Sequence, residues 1–269
     1  MGNPVLTMDD VSHLCNQAPN RKLRAMHPIP PQFKRTHILL GDSGLSKLAQ
    51  QHIFLAGLGG VGSYCAEALA RAGIGRLTLV DHDVVALSNI NRQLPALLST
   101  VGQSKAELMQ ARIRDINPGC EVRLIKTFLT TENMQENVPA DADYVIDAID
   151  SLACKVALVA TSFQRGLKVA SSMGAGNKLD PSRIKLADIS KTEVCPLARV
   201  MRKNLVRLGI REGILTVFSD EPSSAPLPPV PVDGPGRPRA VNGTISYMPP
   251  LFGLMLAGAV IQRLLKDGP

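Results

Sequence analysis

Four glycines lie between an apolar run and a helical pattern in His52-Ile53-Phe54-Leu55-Ala56-Gly57-Leu58-Gly59-Gly60-Val61-Gly62-Ser63, and the next apolar run ends in Asp81. Few features constrain a fold as tightly. Glycines let the backbone approach an anion, and the free amides at the start of the following helix point at it. An acidic side chain closing the second strand can accept hydrogen bonds from a ribose. Gly57, Gly59, Gly60, Gly62 and Asp81 therefore form a predicted nucleotide cradle. The loop alone also fits a dinucleotide enzyme, so the residues beyond Asp81 have to decide the chemistry.

Strand and helix patterns alternate after the cradle. Arg76–Asp81, Glu121–Ile125, Tyr144–Ala148 and Leu167–Ser171 read as strands. Ser104–Ile116 reads as a helix opened by the capping box Ser104-x-x-Glu107 and closed at Asn117-Pro118. A short helix near Thr131–Asn137 and a longer one over Leu152–Arg165 fill the remaining connections. This alternation predicts an α/β, Rossmann-like, doubly wound and mainly parallel sheet. A short helix is expected over Gly41–Gln51. Residues 1–31 read as a mobile extension, and residues 32–269 as one domain with a nucleotide half (32–176) and a C-terminal part (177–269).

That C-terminal part is expected to hold a strand at Arg183–Ile189, a basic helix at Pro196–Leu208 and a strand at Ile214–Ser219. Seven prolines between Pro222 and Pro238 predict a flap without regular structure. The apolar run Met248–Ile261 is 14 residues long, short of the roughly 20 a membrane span needs. It reads as a buried core helix, with loose membrane association left open.

Charge and cysteines narrow the partners. Lys plus Arg exceed Asp plus Glu by 30 − 23 = 7, which suits a polyanion such as RNA without requiring one. Arg199, Arg202 and Lys203 share a broad face of the basic helix, and with Lys191 they are the candidate contacts to an RNA backbone; a solvated face is the plain alternative. Five scattered cysteines without a Cys-x-x-Cys pair argue against zinc and disulfides, and point to a reducing cytoplasm.

A hydride-transfer enzyme has no need of the basic groups Arg92, Lys105 and Arg35, whereas a triphosphate with a metal does. Asp150 comes just after a predicted strand end, where a hard oxygen ligand suits Mg²⁺. In order, the chain carries Gly-x-Gly-Gly-x-Gly, Leu79-Val80-Asp81-x-Asp83, Ser88-Asn89-x-x-Arg92-Gln93, Val101-Gly102-x-x-Lys105 and Asp147-x-x-Asp150. This set resembles the ubiquitin-activating (ThiF/MoeB/HesA-like) superfamily. Gln32-Phe33-x-Arg35-Thr36, Asn89-x-Asn91-Arg92-Gln93 and Cys195-Pro196-Leu197-Ala198-Arg199 make it most similar to the tRNA threonylcarbamoyladenosine dehydratases within it.

The resemblance implies ATP-dependent, Mg²⁺-assisted adenylation of the carboxylate of threonylcarbamoyladenosine in tRNA, followed by ring closure. It implies that Asp81 and Asn91 bind the nucleotide, Arg92 and Lys105 neutralise phosphate, and Asp150 holds the metal. It also implies a homodimer, with Arg35 reaching the neighbouring subunit's site. Three other readings stay open: an adenylating enzyme for a ubiquitin-like sulfur-carrier protein, an NAD-dependent dehydrogenase, and a nucleotide-sensing RNA-binding module. Cys195 is weighed as an acyl-relay thiol against an ordinary cysteine at a helix start. Asp147 is expected to play a packing or capping role.

Overall fold

The structure, a computed structural model, describes residues 29–223, 227–230 and 239–266. The expected extension 1–31 lies almost wholly outside the described residues. Helix α1 (Lys34–Ala49) leads into β1 (His52–Ala56), α2 (Gly62–Ala72) and β2 (Arg76–Val80). Then come α3 (Lys105–Ile116), β3 (Glu121–Ile125), a short α4 (Met134–Asn137), β4 (Tyr144–Asp147), α5 (Leu152–Gln164) and β5 (Val169–Ser172). The C-terminal part adds β6 (Ile184–Asp188), α6 (Pro196–Arg207), β7 (Leu215–Ser219), β8 (Leu227–Val230), β9 (Arg239–Val241) and α7 (Met248–Lys266).

Seven strands form one sheet in the order β3-β2-β1-β4-β5-β7-β6. Every neighbouring pair is parallel except β6 with β7. All five residues of β1 are buried, the signature of a central parallel strand covered on both faces. One face packs Leu69 of α2, Ile113 of α3 and Phe252 of α7 over Ile53 and Leu55. The other packs Met134, Leu158 and Met201, from α4, α5 and α6, over Phe54 and Val145. The predicted doubly wound sheet is therefore present, and the order reverses between β1 and β4, where such sheets bind ligands.

Three sequence expectations need correction. The first helix begins at Lys34 rather than Gly41; Gly41, at φ 63°, is a break inside it. The sequence hides that start because Phe33, which carries no capping side chain, occupies the N-cap. The proline-rich flap is not wholly irregular, since β8 and β9 pair as a two-stranded antiparallel ribbon. Residues 224–226 and 231–238 of that flap lie outside the described residues. Finally, the last helix is 19 residues long, not 14, because Gln262–Lys266 prolong it past the apolar run. It is long and apolar enough to cross a membrane by length and composition. Half of its apolar window is nevertheless buried inside the fold. Gly253 approaches α2 so closely that a Cβ there would lie 2.2 Å from the Val61 carbonyl oxygen.

Candidate active site

A cleft of about 390 Å³ opens across the carboxyl ends of the strands, within the usual size range of small-molecule sites. Its floor is the glycine loop. The Gly57 amide donates to the Val80 carbonyl (2.8 Å), and Gly57 takes the left-handed conformation (φ 91°). The Asp81 carboxylate clamps this loop by accepting from the Leu58 amide (2.6 Å) and the Asp83 amide (2.8 Å). Burial pushes its pKa above the ordinary aspartate value, opposed by those two amides and by Lys105. Each carboxylate oxygen can accept a second bond, so ribose hydroxyls remain acceptable partners.

Lys105 reaches the cleft because residues just past β2 pair locally with the residues before α3. The Val85 amide donates to the Gln103 carbonyl (2.9 Å), and the Lys105 amide donates to the Asp83 carbonyl (3.1 Å). The Lys105 ammonium, almost fully buried, sits 2.8 Å from an Asp83 oxygen. Arg92 lines the same cleft. Its Nη1 donates to the Ser88 carbonyl and to Asn91 Oδ1, both at 2.9 Å, and the other guanidinium donors remain for a ligand. Past β2, His82 meets Phe128 edge to face at 4.8 Å, forming an aromatic wall at the β3 end.

Asp150 lines the cleft from the β4–α5 loop, and among the described residues no partner holds its carboxylate. One free carboxylate beside the glycine loop fits the few-ligand binding that Mg²⁺ favours. Asp81, His82 and Asp83 also bring ligand atoms within 4.8 Å of one another. Asp83 is engaged by Lys105 and Asp81 by two amides, so Asp150 is the better metal candidate. Asp147 is fully buried instead. It accepts from Lys155 Nζ (2.6 Å) and Ser171 Oγ (2.5 Å), and takes the Ile149 amide at 3.1 Å on its other oxygen. That is the packing and capping role expected of it.

Several predicted site residues stand elsewhere. Asn91 does not line the cleft; its amide donates to the Thr244 carbonyl (2.9 Å), so it braces Arg92 against the 242–247 segment. Arg35 lies on α1 in a separate surface depression with Tyr64 and Leu254, away from its own chain's cleft. Arg199, Lys203 and Lys191 are exposed, whereas Arg202 is half-buried and donates to the Thr192 carbonyl (2.6 Å), tying α6 to the loop before it. Cys195 is buried at the N-cap of α6 and does not line the cleft, as an ordinary packing cysteine would be.

Sequence reasoning missed Lys155, the ammonium beneath the cleft. Its signal was a lone lysine within the apolar helix Leu152–Gln164, where a charge requires a buried partner. Asn242 and Thr244, which also line the cleft, gave no local signal.

The ThiF family model matches residues 33–269. The chain is 43% identical over 248 residues to the tRNA threonylcarbamoyladenosine dehydratase of Bacillus subtilis, covering 88% of this chain and 95% of that one. The Haemophilus influenzae protein of the same name is 40% identical over 240 residues, covering 85% and 91%. The crystal structure of Escherichia coli tRNA N6-threonylcarbamoyladenosine dehydratase in complex with ATP superposes with a TM-score of 0.78 at 36% identity, covering 87% of this chain and 93% of that one.

Proposed function

The chain belongs to the ThiF family, and from that premise we propose that it uses ATP to dehydrate threonylcarbamoyladenosine in tRNA to its cyclic form. The observation that carries this reading is the meeting of the glycine cradle, Arg92, Lys105 and Asp150 in one cleft at the switch point of the sheet. A dehydrogenase would use the cradle but has no task for that basic pair and the free carboxylate. Likeness to dehydratases over nearly the full length favours tRNA over a sulfur-carrier protein as the acceptor.

The reaction starts when the substrate carboxylate attacks the α-phosphorus of ATP. The bond from that phosphorus to the bridging oxygen breaks and pyrophosphate leaves. A nucleophilic atom of the carbamoyl group then attacks the activated carbonyl carbon, AMP departs and a proton is lost. The ring product is thus one water lighter than the substrate. In our reading Asp81 holds the ribose, the loop amides and the start of α2 cradle phosphate, and Arg92 and Lys105 offset the charge of the departing pyrophosphate. Mg²⁺, held by Asp150, would supply further charge neutralisation across the phosphates. Arg35 lies outside its own cleft, so a catalytic role for it requires a second copy of the chain, and a homodimer is part of this proposal. A tRNA substrate and unpaired buried thiols fit a cytoplasmic location.

The test is incubation with ATP, Mg²⁺ and tRNA bearing threonylcarbamoyladenosine, followed by mass spectrometry of the nucleosides. Loss of one water with stoichiometric pyrophosphate is expected; turnover without pyrophosphate would end this reading. The exposed residues of α6 supply a second prediction. Arg199→Glu combined with Lys203→Glu is expected to weaken tRNA binding by about tenfold or more and flatten its salt dependence, with ATP affinity unchanged. Equal tRNA affinity across a salt series would remove α6 from the tRNA path.

A further inference from the structure

The chemistry of the cleft is divided along its length. The cleft crosses the ends of β3, β2, β1, β4 and β5, four strand spacings or roughly 19 Å. The carboxylate, imidazole and basic side chains that line it all follow β2 or β4: Asp81, His82, Asp83, Arg92 and Asp150 project from loops, and Lys105 from the first residue of α3. Over β5 the lining changes to Met173, Gly176, Leu197, Asn242 and Thr244, and among the described residues the one ionisable side chain lining this end is the Cys154 thiol; the Lys155–Asp147 pair lies buried beneath it. This arm is neutral: apolar on one side, with an amide and a hydroxyl on the other.

The amide and hydroxyl sit on a strap, residues 242–247, that is built rather than loose. Asn177, left-handed at φ 58°, donates its amide to the Gly243 carbonyl (2.8 Å) and accepts from the Gly243 amide (2.7 Å). Its Nδ2 donates to Asn242 Oδ1 (2.8 Å), and Tyr247 donates its hydroxyl to the Leu179 carbonyl (2.8 Å). At the other edge Asn91 bonds both Thr244 and Arg92, so the strap is fixed relative to the arginine that faces the phosphates. Asparagine is among the few non-glycine residues that adopt the left-handed region readily, and here that conformation accompanies both of its bonds to Gly243.

We propose that Asn242 and Thr244 are specificity residues that recognise the threonylcarbamoyl group, which lies in the β5 arm with its carboxylate directed at the α-phosphate. The proposal rests on the reaction assigned above. The arm matches that group in kind: Met173 and Leu197 face its methyl, while the Asn242 Nδ2 and the Thr244 hydroxyl pair with its urea. Asn242 Oδ1 is already taken by Asn177, so the free end of the amide is a donor, suited to the urea carbonyl. A neutral arm also sets no negative charge in the path of an incoming carboxylate.

The test uses Asn242→Asp and Thr244→Val in the full chain, with ATP affinity by calorimetry and kcat/KM on modified tRNA. The aspartate keeps the oxygen that Asn177 bonds, removes the donor and adds a repelling charge. It is expected to lower kcat/KM for modified tRNA by about a hundredfold, and Thr244→Val by about tenfold. Both should leave the dissociation constants for ATP and for unmodified tRNA within twofold of wild type. Wild-type kcat/KM in both variants would overturn the assignment, as would a parallel loss of ATP affinity, which would make the strap a nucleotide wall. Wild-type protein that releases no pyrophosphate with modified tRNA would instead refute the underlying reaction and this proposal with it.

Discussion

Lys155→Met is expected to lower the folding stability by about 3–5 kcal/mol, among the largest effects available to any single residue here. The ammonium is 1% exposed and ends between Asp147 Oδ2 at 2.6 Å and the Ser172 carbonyl at 2.8 Å. Methionine fills much of the same space but offers neither a charge nor a donor. The Asp147 carboxylate, wholly buried, would keep only Ser171 and the Ile149 amide. An ion without its counter-ion in that interior is what makes the loss large, since the intact pair itself is near break-even against apolar residues. Urea unfolding should show a lower midpoint at unchanged slope. Adding Asp147→Asn should restore much of the stability, because the orphaned charge goes with it. A Lys155→Met midpoint equal to wild type would show that the pair contributes nothing.

The same network bears on the chemistry. Asp147 holds the first residues of the loop that carries Asp150, and Lys155 holds the end of β5 where the neutral arm begins. The restabilised double variant therefore separates stability from positioning: it should fold normally yet turn over more slowly.

Local patterns made much of this legible. The glycine loop, the strand ending near Asp81 and the Ser104 cap are each read within a dozen residues, and the rules for parallel sheets then build the cleft at the switch point. The residues that escaped notice act across long separations. Thr244 meets Asn91 across 153 positions, and Lys155 meets Ser172 from another element. No periodicity encodes such pairs. Arg202 was legible as a basic residue but not as a tether, because its Thr192 partner belongs to an irregular loop. The ribbon hid behind its prolines: Pro228 and Pro229 lack amide hydrogens, yet an edge strand tolerates them.

Gly62→Ala is expected to reduce ATP affinity at least a hundredfold, about 3 kcal/mol. A Cβ built on Gly62 falls 1.7 Å from the Gly57 carbonyl oxygen and 2.9 Å from its carbon. Those are backbone atoms, so no side chain can swing away to relieve the overlap. Either the loop or the first turn of α2 has to move. Gly57 cannot yield toward β4, because a Cβ on Gly57 itself would stand 2.6 Å from the Ala148 carbonyl oxygen, which shows how closely the two segments already pack. The moving part is therefore the set of amides assigned above to the phosphates, and an anion site misplaced by an ångström loses the directionality of every bond it makes. Gly258→Ala in α7 is the control: a Cβ at Gly258 would meet no atom within 4 Å, and the exchange should stabilise that helix by roughly 0.5–1 kcal/mol. Calorimetric titration with ATP and a thermal melt of both variants decide the matter. Retained ATP affinity in folded Gly62→Ala protein would mean that the cradle is not where the phosphates bind.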